Sequence, residues 1–306
     1  QERRALESRL TGQYQVVREL GRGGMGVVFL ARDVALHRSV AIKVLRHEYV
    51  NSAHHRERFR REARMTARLG HAGIVPVFAL SERDDFVYMV MKYVHGESLA
   101  ERLRREHTLT PREASRILRD LSSALEHAHA EGMVHRDLKA ENVLIEKKTG
   151  RAYLTDFGVA FVPGGDSDEW EQSHAMGTPH YMSPEQAAGE ADLDGRSDLY
   201  SLGVLGYQML SGRLPFDGPS FESLAAQHIV KAHEPLAALT PSAPAELVAA
   251  IEKCLAKDRE ARWQDAGELR RALVDGARHS RQRQVFGWRG WMRVVAGVVV
   301  VGWMGR

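Results

Sequence analysis

The spacing of apolar residues changes character at Gly96, and no other feature of the chain constrains its fold as strongly. Before that point, short runs rich in Val, Ile and Phe alternate with turn residues. Tyr14–Leu20, Gly26–Ala31 and Ser39–Leu45 read as strands, followed by Ile74–Leu80 and Phe86–Tyr93 on either side of a Ser-Glu-Arg-Asp-Asp turn. One charged amphipathic helix interrupts them over 52–69, with Ser52 as N-cap and Gly70 as C-cap. After Gly96 the period is helical. Thr110-Pro111-Arg112-Glu113 is a capping box with Pro at the first helical position, opening a helix that runs to Gly132. Short strands at Val143–Ile145 and Ala152–Leu154 precede a long loop. Helices are expected near Ser197–Ser211, Phe221–Lys231, Pro244–Ala256 and Asp265–Val274. A small β-rich lobe followed by a larger helical one predicts an α+β, bilobal chain with a cleft at the junction, where ligands usually sit.

Composition narrows the function classes. With 43% hydrophobic and 27% charged residues among 306, the chain has ample material for a core and is not mainly disordered. A single cysteine, Cys254, rules out an internal disulfide framework and any four-cysteine zinc site. It points to a reducing compartment, and within Ile-Glu-Lys-Cys-Leu it reads as a core residue. The net charge of +3 is unevenly distributed: residues 277–306 hold six Arg and no acid, leaving residues 1–276 at −3. A nucleic-acid-binding domain concentrates basic charge on its folded body, so no nucleic-acid partner is expected. The chain begins at Gln1 rather than Met, so the reading is of a missing or processed start. Residues 1–10 contain no apolar secretory region, and no repeat in the solenoid range is visible.

The chemistry-bearing residues are ordered along the chain. Gly21-Arg22-Gly23-Gly24-Met25-Gly26-Val27-Val28 fits G-x-G-x-x-G-x-V, in which glycine lets the backbone approach phosphate oxygens. A hairpin turn would explain such a run equally well. A dinucleotide fingerprint would lead into a helix, whereas Val27-Val28-Phe29-Leu30 is a strand, so that reading loses. Lys43 ends Val40-Ala41-Ile42-Lys43, where burying an ammonium is costly unless an anion meets it. A lysine snorkelling from a strand edge is the plain alternative. Glu62 in the charged helix is a carboxylate that can meet Lys43, although a lone Glu there is usually solvated. His135-Arg136-Asp137-Leu138-Lys139-Ala140-Glu141-Asn142 follows, and Asp156-Phe157-Gly158 lies 19 residues beyond Asp137. Phosphoryl transfer needs carboxylate and amide oxygens for Mg²⁺ and a carboxylate to orient the attacking hydroxyl. Asp137, Asn142 and Asp156 are of those types. Each short match arises easily by chance, Asp-Phe-Gly as an Asx-type turn. Their ordered combination does not.

Together these motifs make the chain resemble the eukaryotic-like (Hanks-type) protein kinases, most closely the bacterial Ser/Thr kinases, over about residues 10–276. The resemblance implies a protein-kinase fold, with 14–94 as the small lobe and 95–276 as the large one. Residues 1–13 would be an N-terminal extension, 277–293 a basic juxtamembrane segment and 294–306 an apolar segment. Gly21, Gly23 and Gly26 would cover the ATP phosphates, and Lys43 would contact the α/β-phosphates while pairing with Glu62. Val28, Ala41, Met91 as gatekeeper and the hinge Lys92–Val94 would hold adenine. Asp137 would be the catalytic base, and Lys139 would stabilise the transferred phosphoryl. Asn142 and Asp156 would hold Mg²⁺ or Mn²⁺. Gly177-Thr178-Pro179-His180-Tyr181 resembles the substrate-docking segment, Ser183-Pro184-Glu185 stands where the family has Ala-Pro-Glu, and Asp198, Arg262 and Glu185 match scaffold positions. Asp-Leu-Lys in the catalytic loop with Gly-Thr in the docking segment resembles Ser/Thr rather than Tyr kinases. The partners implied are proteins bearing Ser or Thr, with room for a homodimer and a signalling role.

Some residues depart from the family pattern. Lys92 stands where many relatives carry Glu; backbone atoms read adenine there, so little loss of ATP binding is expected. Between Gly158 and Gly177 the only hydroxyl residues are Ser167 and Ser173, among the acids Asp166, Asp168, Glu169 and Glu171. Arg136 would meet a phosphate in that segment, so one expectation is basal activity supported by the acids and raised by autophosphorylation at Ser173 or Ser167; a solvated acidic loop without that role is the plain alternative. A pseudokinase scaffold is disfavoured because Lys43, Asp137, Asn142 and Asp156 are all present. A small-molecule phosphotransferase is disfavoured by the docking segment. In the tail, the apolar run Val294–Met304 rises about 16 Å as a helix, short of the roughly 30 Å hydrocarbon core. Flanking Trp288, Trp291 and Trp303 resemble interfacial anchors, and the arginines fit the positive-inside rule. The reading is a single-pass inner-membrane protein cut within its span, with the kinase domain in the cytoplasm. A buried terminal helix is the alternative.

Overall fold

The structure, a computed structural model, describes residues 2–83, 86–157 and 179–278. Five antiparallel strands form the first sheet: β1 (Tyr14–Arg22), β2 (Gly26–Asp33), β3 (Arg38–Leu45), β4 (Val77–Arg83) and β5 (Phe86–Lys92), in the order β1-β2-β3-β5-β4. Strand periodicity sends alternate residues to opposite faces. Val40, Ile42 and Val44 join Val27, Phe29, Ala31, Tyr88 and Val90 on one face. Ala41, Leu45, Met89 and Met91 face the other way, against Phe59 and Ala63 of helix α2 (Ala53–Ala67). The first face is closed by helix α1 (Glu2–Arg9), whose Leu6 is fully buried there together with Leu10. The residues before Tyr14 thus contribute to the core of the small lobe.

Among the boundaries that differ from the sequence expectation are those of β4 and α2. The strand expected from Ile74 begins at Val77, because the chain just before it pairs elsewhere. Val75 N–H donates to Leu154 O at 2.9 Å, Leu154 N–H donates to Gly73 O at 2.8 Å, and Pro76 has no N–H to give. Helix α2 is capped by Ser52 as expected but ends at Ala67, before Gly70.

A second, three-stranded sheet follows, β6 (Gly96–Ser98), β7 (Val143–Glu146) and β8 (Ala152–Leu154), in that spatial order. Helix α3 (Leu99–Glu106), unforeseen from periodicity, starts at a capping box between Ser98 and Glu101. Helix α4 (Pro111–Ala130) starts with Thr110 accepting from Glu113 N–H, while the Glu113 carboxylate accepts from the Thr110 hydroxyl and from Arg102. Only half of the expected capping box therefore forms. Helix α5 (Gly195–Ser211) is buried almost all round and packs against α4 and against α7 (Ala245–Cys254). At Gly203 an added Cβ would lie 2.6 Å from the Cys254 Cβ, so the α5–α7 contact requires glycine. Helix α6 (Phe221–Val230) and a helix over residues 266–278 complete the second lobe. Cys254 is buried in this core, as its apolar surroundings implied.

Candidate active site

Between the two sheets the structure brings together residues far apart in sequence. Gly23 N–H donates to Gly26 O at 2.8 Å, closing the turn between β1 and β2. A Cβ at Gly26 would sit 3.0 Å from Val44 O and 3.3 Å from Lys43 Cγ, so the turn lies tightly on β3 and a larger residue would push against it. Lys43 stands opposite Val28 in the β2–β3 register. Its ammonium donates to Glu62 Oε1 at 2.6 Å and to Asp156 Oδ1 at 2.8 Å. With its side chain 11% exposed, this is a buried lysine clamped between carboxylates from two lobes.

Burial works against charge in this triad, and the pairing decides where charge stays. For Lys43, burial alone would lower the pKa, but Asp156 and Glu62 outweigh it and hold the pKa above the ordinary lysine value. Burial raises Glu62, and Lys43 offsets only part of that. Burial also opposes ionisation of Asp156, yet Lys43 leaves its pKa below the usual value. Of the two carboxylates, Asp156 is the one whose ionised form the pairing favours.

The loop 135–142 supplies a second group. Lys139 Nζ donates to both Asp137 oxygens, at 2.9 and 2.8 Å, and Asn142 Nδ2 donates to Asp137 O at 2.8 Å and Asp137 Oδ2 at 3.1 Å. The Asp137 carboxylate remains 42% exposed toward the cleft. Thr155, just before Asp156, donates its N–H to Asn142 O at 3.0 Å. His135, fully buried, accepts from Asp137 N–H at Nδ1, so its Nε2–H donates to Thr155 O at 3.1 Å. Two bonds therefore fix the 137–142 group relative to Asp156.

Arg136 and Asp156 both adopt positive φ, 65° and 55°, a region that non-glycine residues enter only when their surroundings enforce it. Asp198 enforces it at Arg136. This carboxylate, on a residue 1% exposed in α5, accepts the N–H groups of His135 and Arg136, each at 2.8 Å, and pairs with His129 Nε2 at 2.8 Å. Gln186 adds a bond from Nε2 to Arg136 O at 2.8 Å. Beneath the loop, Arg262 makes a buried fork to Glu185 at 2.7 and 2.8 Å, and Ser197 Oγ donates to the same carboxylate at 2.6 Å. Burial opposes the Glu185 charge, but Arg262 and Ser197 hold its pKa below the usual carboxylate range.

Beside the clamp, Ala41, Met91 and Val94 share one apolar cluster, with Val28 and Leu144 packed against it. The Lys92 side chain donates to the hydroxyl of Tyr153, a buried member of the same cluster, at 2.9 Å. A divalent cation suits the oxygens present. Asn142 commits its amide nitrogen to Asp137 while its amide oxygen accepts nothing from the described residues, and Asp156 stays ionised. Such hard oxygen donors are the ligand type of Mg²⁺ and Mn²⁺.

Gly21, Gly23, Gly26, Val28, Ala41, Lys43, Glu62, Met91, Lys92, Val94, Asp137, Lys139, Asn142 and Asp156 all line or adjoin this one cleft. Arg136 lies behind it, with its backbone held by Asp198 and Gln186. Ser167, Ser173 and Thr178 lie outside the described residues. Sequence reading missed His129, Gln186 and Tyr153, named His135 only within its motif, and knew Asp198 only as a scaffold match. These residues act through backbone atoms and neighbouring side chains, for which a sequence carries no periodic or spacing signal.

Comparison with known proteins agrees with this geometry. The family model described as "Protein kinase domain" matches residues 14–272. The chain is 40% identical over 264 residues to the serine/threonine-protein kinase PrkC of Bacillus subtilis, covering 86% of this chain and 40% of PrkC. It is 44% identical over 277 residues to the serine/threonine-protein kinase pkn2 of Myxococcus xanthus, covering 89% of this chain and 33% of that relative. The chain thus spans well under half the length of these curated relatives. Among solved structures, the kinase domain of Mycobacterium tuberculosis PknI superposes with a TM-score of 0.65 at 29% identity, covering 87% of this chain and 96% of that one.

Proposed function

The chain belongs to the Hanks-type Ser/Thr protein kinases of bacteria, and on that premise we propose that it transfers the γ-phosphoryl group of ATP to Ser and Thr hydroxyls of proteins. The observation that carries the proposal is the convergence on one cleft of the Lys43–Glu62–Asp156 clamp and the Asp137–Lys139–Asn142 group. The phosphates of ATP lie under the turn at Gly21, Gly23 and Gly26, where the lack of side chains lets the backbone approach them, with the Lys43 ammonium on the α/β side. Glu62 and Asp156 keep that ammonium charged and aimed. Adenine fits the apolar patch of Val28, Ala41, Met91 and Val94, against the backbone of 92–94.

Asn142 and Asp156 would hold Mg²⁺ or Mn²⁺, which when bound offsets negative charge on the β- and γ-phosphates. Asp137 accepts the hydrogen bond of the incoming Ser or Thr hydroxyl, orients its oxygen toward the γ-phosphorus and takes its proton as the new O–P bond forms and the bond from the γ-phosphorus to the β–γ bridging oxygen breaks, releasing ADP. Lys139, already on both Asp137 oxygens, is placed to balance charge on the phosphoryl in transit. The test is transfer of γ-labelled phosphate to a generic basic protein with Mg²⁺ or Mn²⁺, followed by phosphoamino-acid analysis. Phosphoserine and phosphothreonine are expected; phosphotyrosine alone, or no transfer, would contradict the proposal.

Two further parts of the proposal concern segments outside the described residues. Autophosphorylation at Ser173 or Ser167 raises a basal activity that the neighbouring acids support, so the double change Ser167→Ala with Ser173→Ala lowers activity without abolishing it. Full activity in that variant would remove both serines from regulation. The arginine-rich 277–293 segment and the apolar stretch after it support a kinase domain on the cytoplasmic side of the inner membrane. Among the described residues no helix is long and apolar enough to cross a membrane. Fractionation of the full-length gene product decides the point: recovery in the membrane fraction supports anchoring, and a soluble product with the tail intact rejects it.

A further inference from the structure

Lys92 is the last residue of β5, a strand buried from Phe86 to Met91, and it is a lysine whose ammonium turns back into the protein. Among the described residues it forms no ion pair with a carboxylate. Its Nζ instead donates to Tyr153 OH at 2.9 Å and lies 4.2 Å from the centre of the Tyr153 ring. Hydroxyl oxygen and ring face together replace part of the water that an ammonium gives up. Tyr153 is 5% exposed and sits in the middle of β8, on the second sheet. The contact therefore crosses from the end of the first sheet to the second, outside the nucleotide-phosphate chemistry described above.

What the contact spans gives it a consequence. On one side, the backbone of Lys92 is fixed by its N–H bond to Pro76 O at 3.0 Å, and Val94 follows two residues later in the adenine-facing patch. On the other, Tyr153 pairs in register with Leu144 of β7, and Leu144 packs on the same cluster as Ala41 and Met91. The side chains above and below the adenine space thus belong to two sheets, and Lys92–Tyr153 ties those sheets beside it. One residue past Tyr153, the bridge between Ile74 and Leu154 makes a second tie, by backbone, ahead of Asp156.

We infer that Lys92 and Tyr153 form a positioning pair that fixes the width of the adenine space, so that the lysine side chain sets nucleotide affinity without touching the nucleotide. This rests on the reading of the cleft as an ATP site. The proposal departs from the expectation of little loss of ATP binding at Lys92, because it assigns the role to the side-chain tie and not to the backbone atoms that read adenine.

The test uses Lys92→Met, which keeps the stem and removes the donor, and Tyr153→Phe, which keeps the ring in the core and removes only the hydroxyl. Lys92→Arg is the conservative control, and thermal melting confirms that each variant is folded. KM for ATP should rise about three- to tenfold in each single variant, the range for loss of one ordinary hydrogen bond, since the tie reaches the nucleotide only through the backbone, with kcat changing less than twofold. The double variant should be no worse than the worse single one, because both remove the same contact. Lys92→Arg should recover most of the affinity. Direct binding of a fluorescent ATP analogue, measured in parallel, separates the possible failures. If wild-type protein bound no nucleotide, the ATP reading and the pair would fall together. If the wild type bound and the folded variants matched it in KM, or the two changes simply multiplied, the pair alone would be rejected.

Discussion

Lys43 shows at the scale of a single residue how this cleft is built. An ammonium on a mostly buried strand is retained because two carboxylates meet it, and of the two only Asp156 has its pKa pulled below normal. Glu62, with its pKa raised by burial, acts mainly as a hydrogen-bond acceptor that aims the lysine. Replacing Glu62 with Gln keeps the shape and removes the stronger acceptor. It should lower kcat/KM for ATP-dependent transfer by about ten- to a hundredfold, the equivalent of about 1.4–2.7 kcal/mol, as loss of a charge-assisted bond predicts. Steady-state kinetics at varied ATP would check this; an unchanged kcat/KM would show that Asp156 alone positions Lys43. Lys43, Asp137, Asn142 and Asp156 were legible in the sequence because each is a chemical type that the reaction needs, placed in a characteristic order. Asp198 was not legible in the same way. It works by accepting two backbone N–H groups from a loop more than 60 residues away, and nothing local to Arg196-Ser197-Asp198 encodes that.

Among elements, strands and long helices followed from periodicity, and the misses have physical causes. Helix α3 has only eight residues, too few to show a helical period convincingly, although the Ser98…Glu101 capping box marked its start. Strand β4 shifted because β8, a partner 80 residues away in sequence, takes up the backbone groups around Ile74. Helix α1 contains one buried leucine among charged residues, so its pattern resembled a solvated extension. Its contribution is measurable. Leu6→Ala should destabilise the protein by about 2–5 kcal/mol, since it opens a cavity against the sheet. Urea unfolding gives the value, and a change below about 0.5 kcal/mol would mean that α1 does not hold its place on the sheet in solution.

At the scale of the whole molecule, one source of sensitivity to acid is a histidine in the second lobe. His228 on α6 is fully buried, with Tyr200 OH 3.0 Å from its Nδ1, the Phe216 ring 5.0 Å away, and Lys257 and His180 nearby. Burial first, then Lys257, pushes its pKa down to about 3. Because the folded value lies below the unfolded one of about 6.5, the unfolded chain takes up a proton that the folded one refuses. Stability from this site is therefore complete above about pH 6.5 and falls as pH drops, by about 2 kcal/mol between pH 6.5 and 5. His228→Asn, which does not titrate, should lose correspondingly less over that interval in urea unfolding series. Identical pH dependence in the two proteins would place the acid sensitivity elsewhere.

At the same scale, the two lobes have a function only if the groups they bring together perform one reaction, and Asp137 is where that account is most exposed. The decisive measurement compares the wild type with Asp137→Asn in two assays on the same preparations: γ-phosphate transfer from labelled ATP, and ATP binding. The amide keeps the size of the side chain and its contact with Asn142 but cannot take the proton of the hydroxyl. Transfer should fall by about 10²–10⁴-fold, the usual share of a general base, while the ATP dissociation constant stays within about threefold. Wild-type turnover in Asp137→Asn would contradict the assignment of the base and, with it, the account of this cleft.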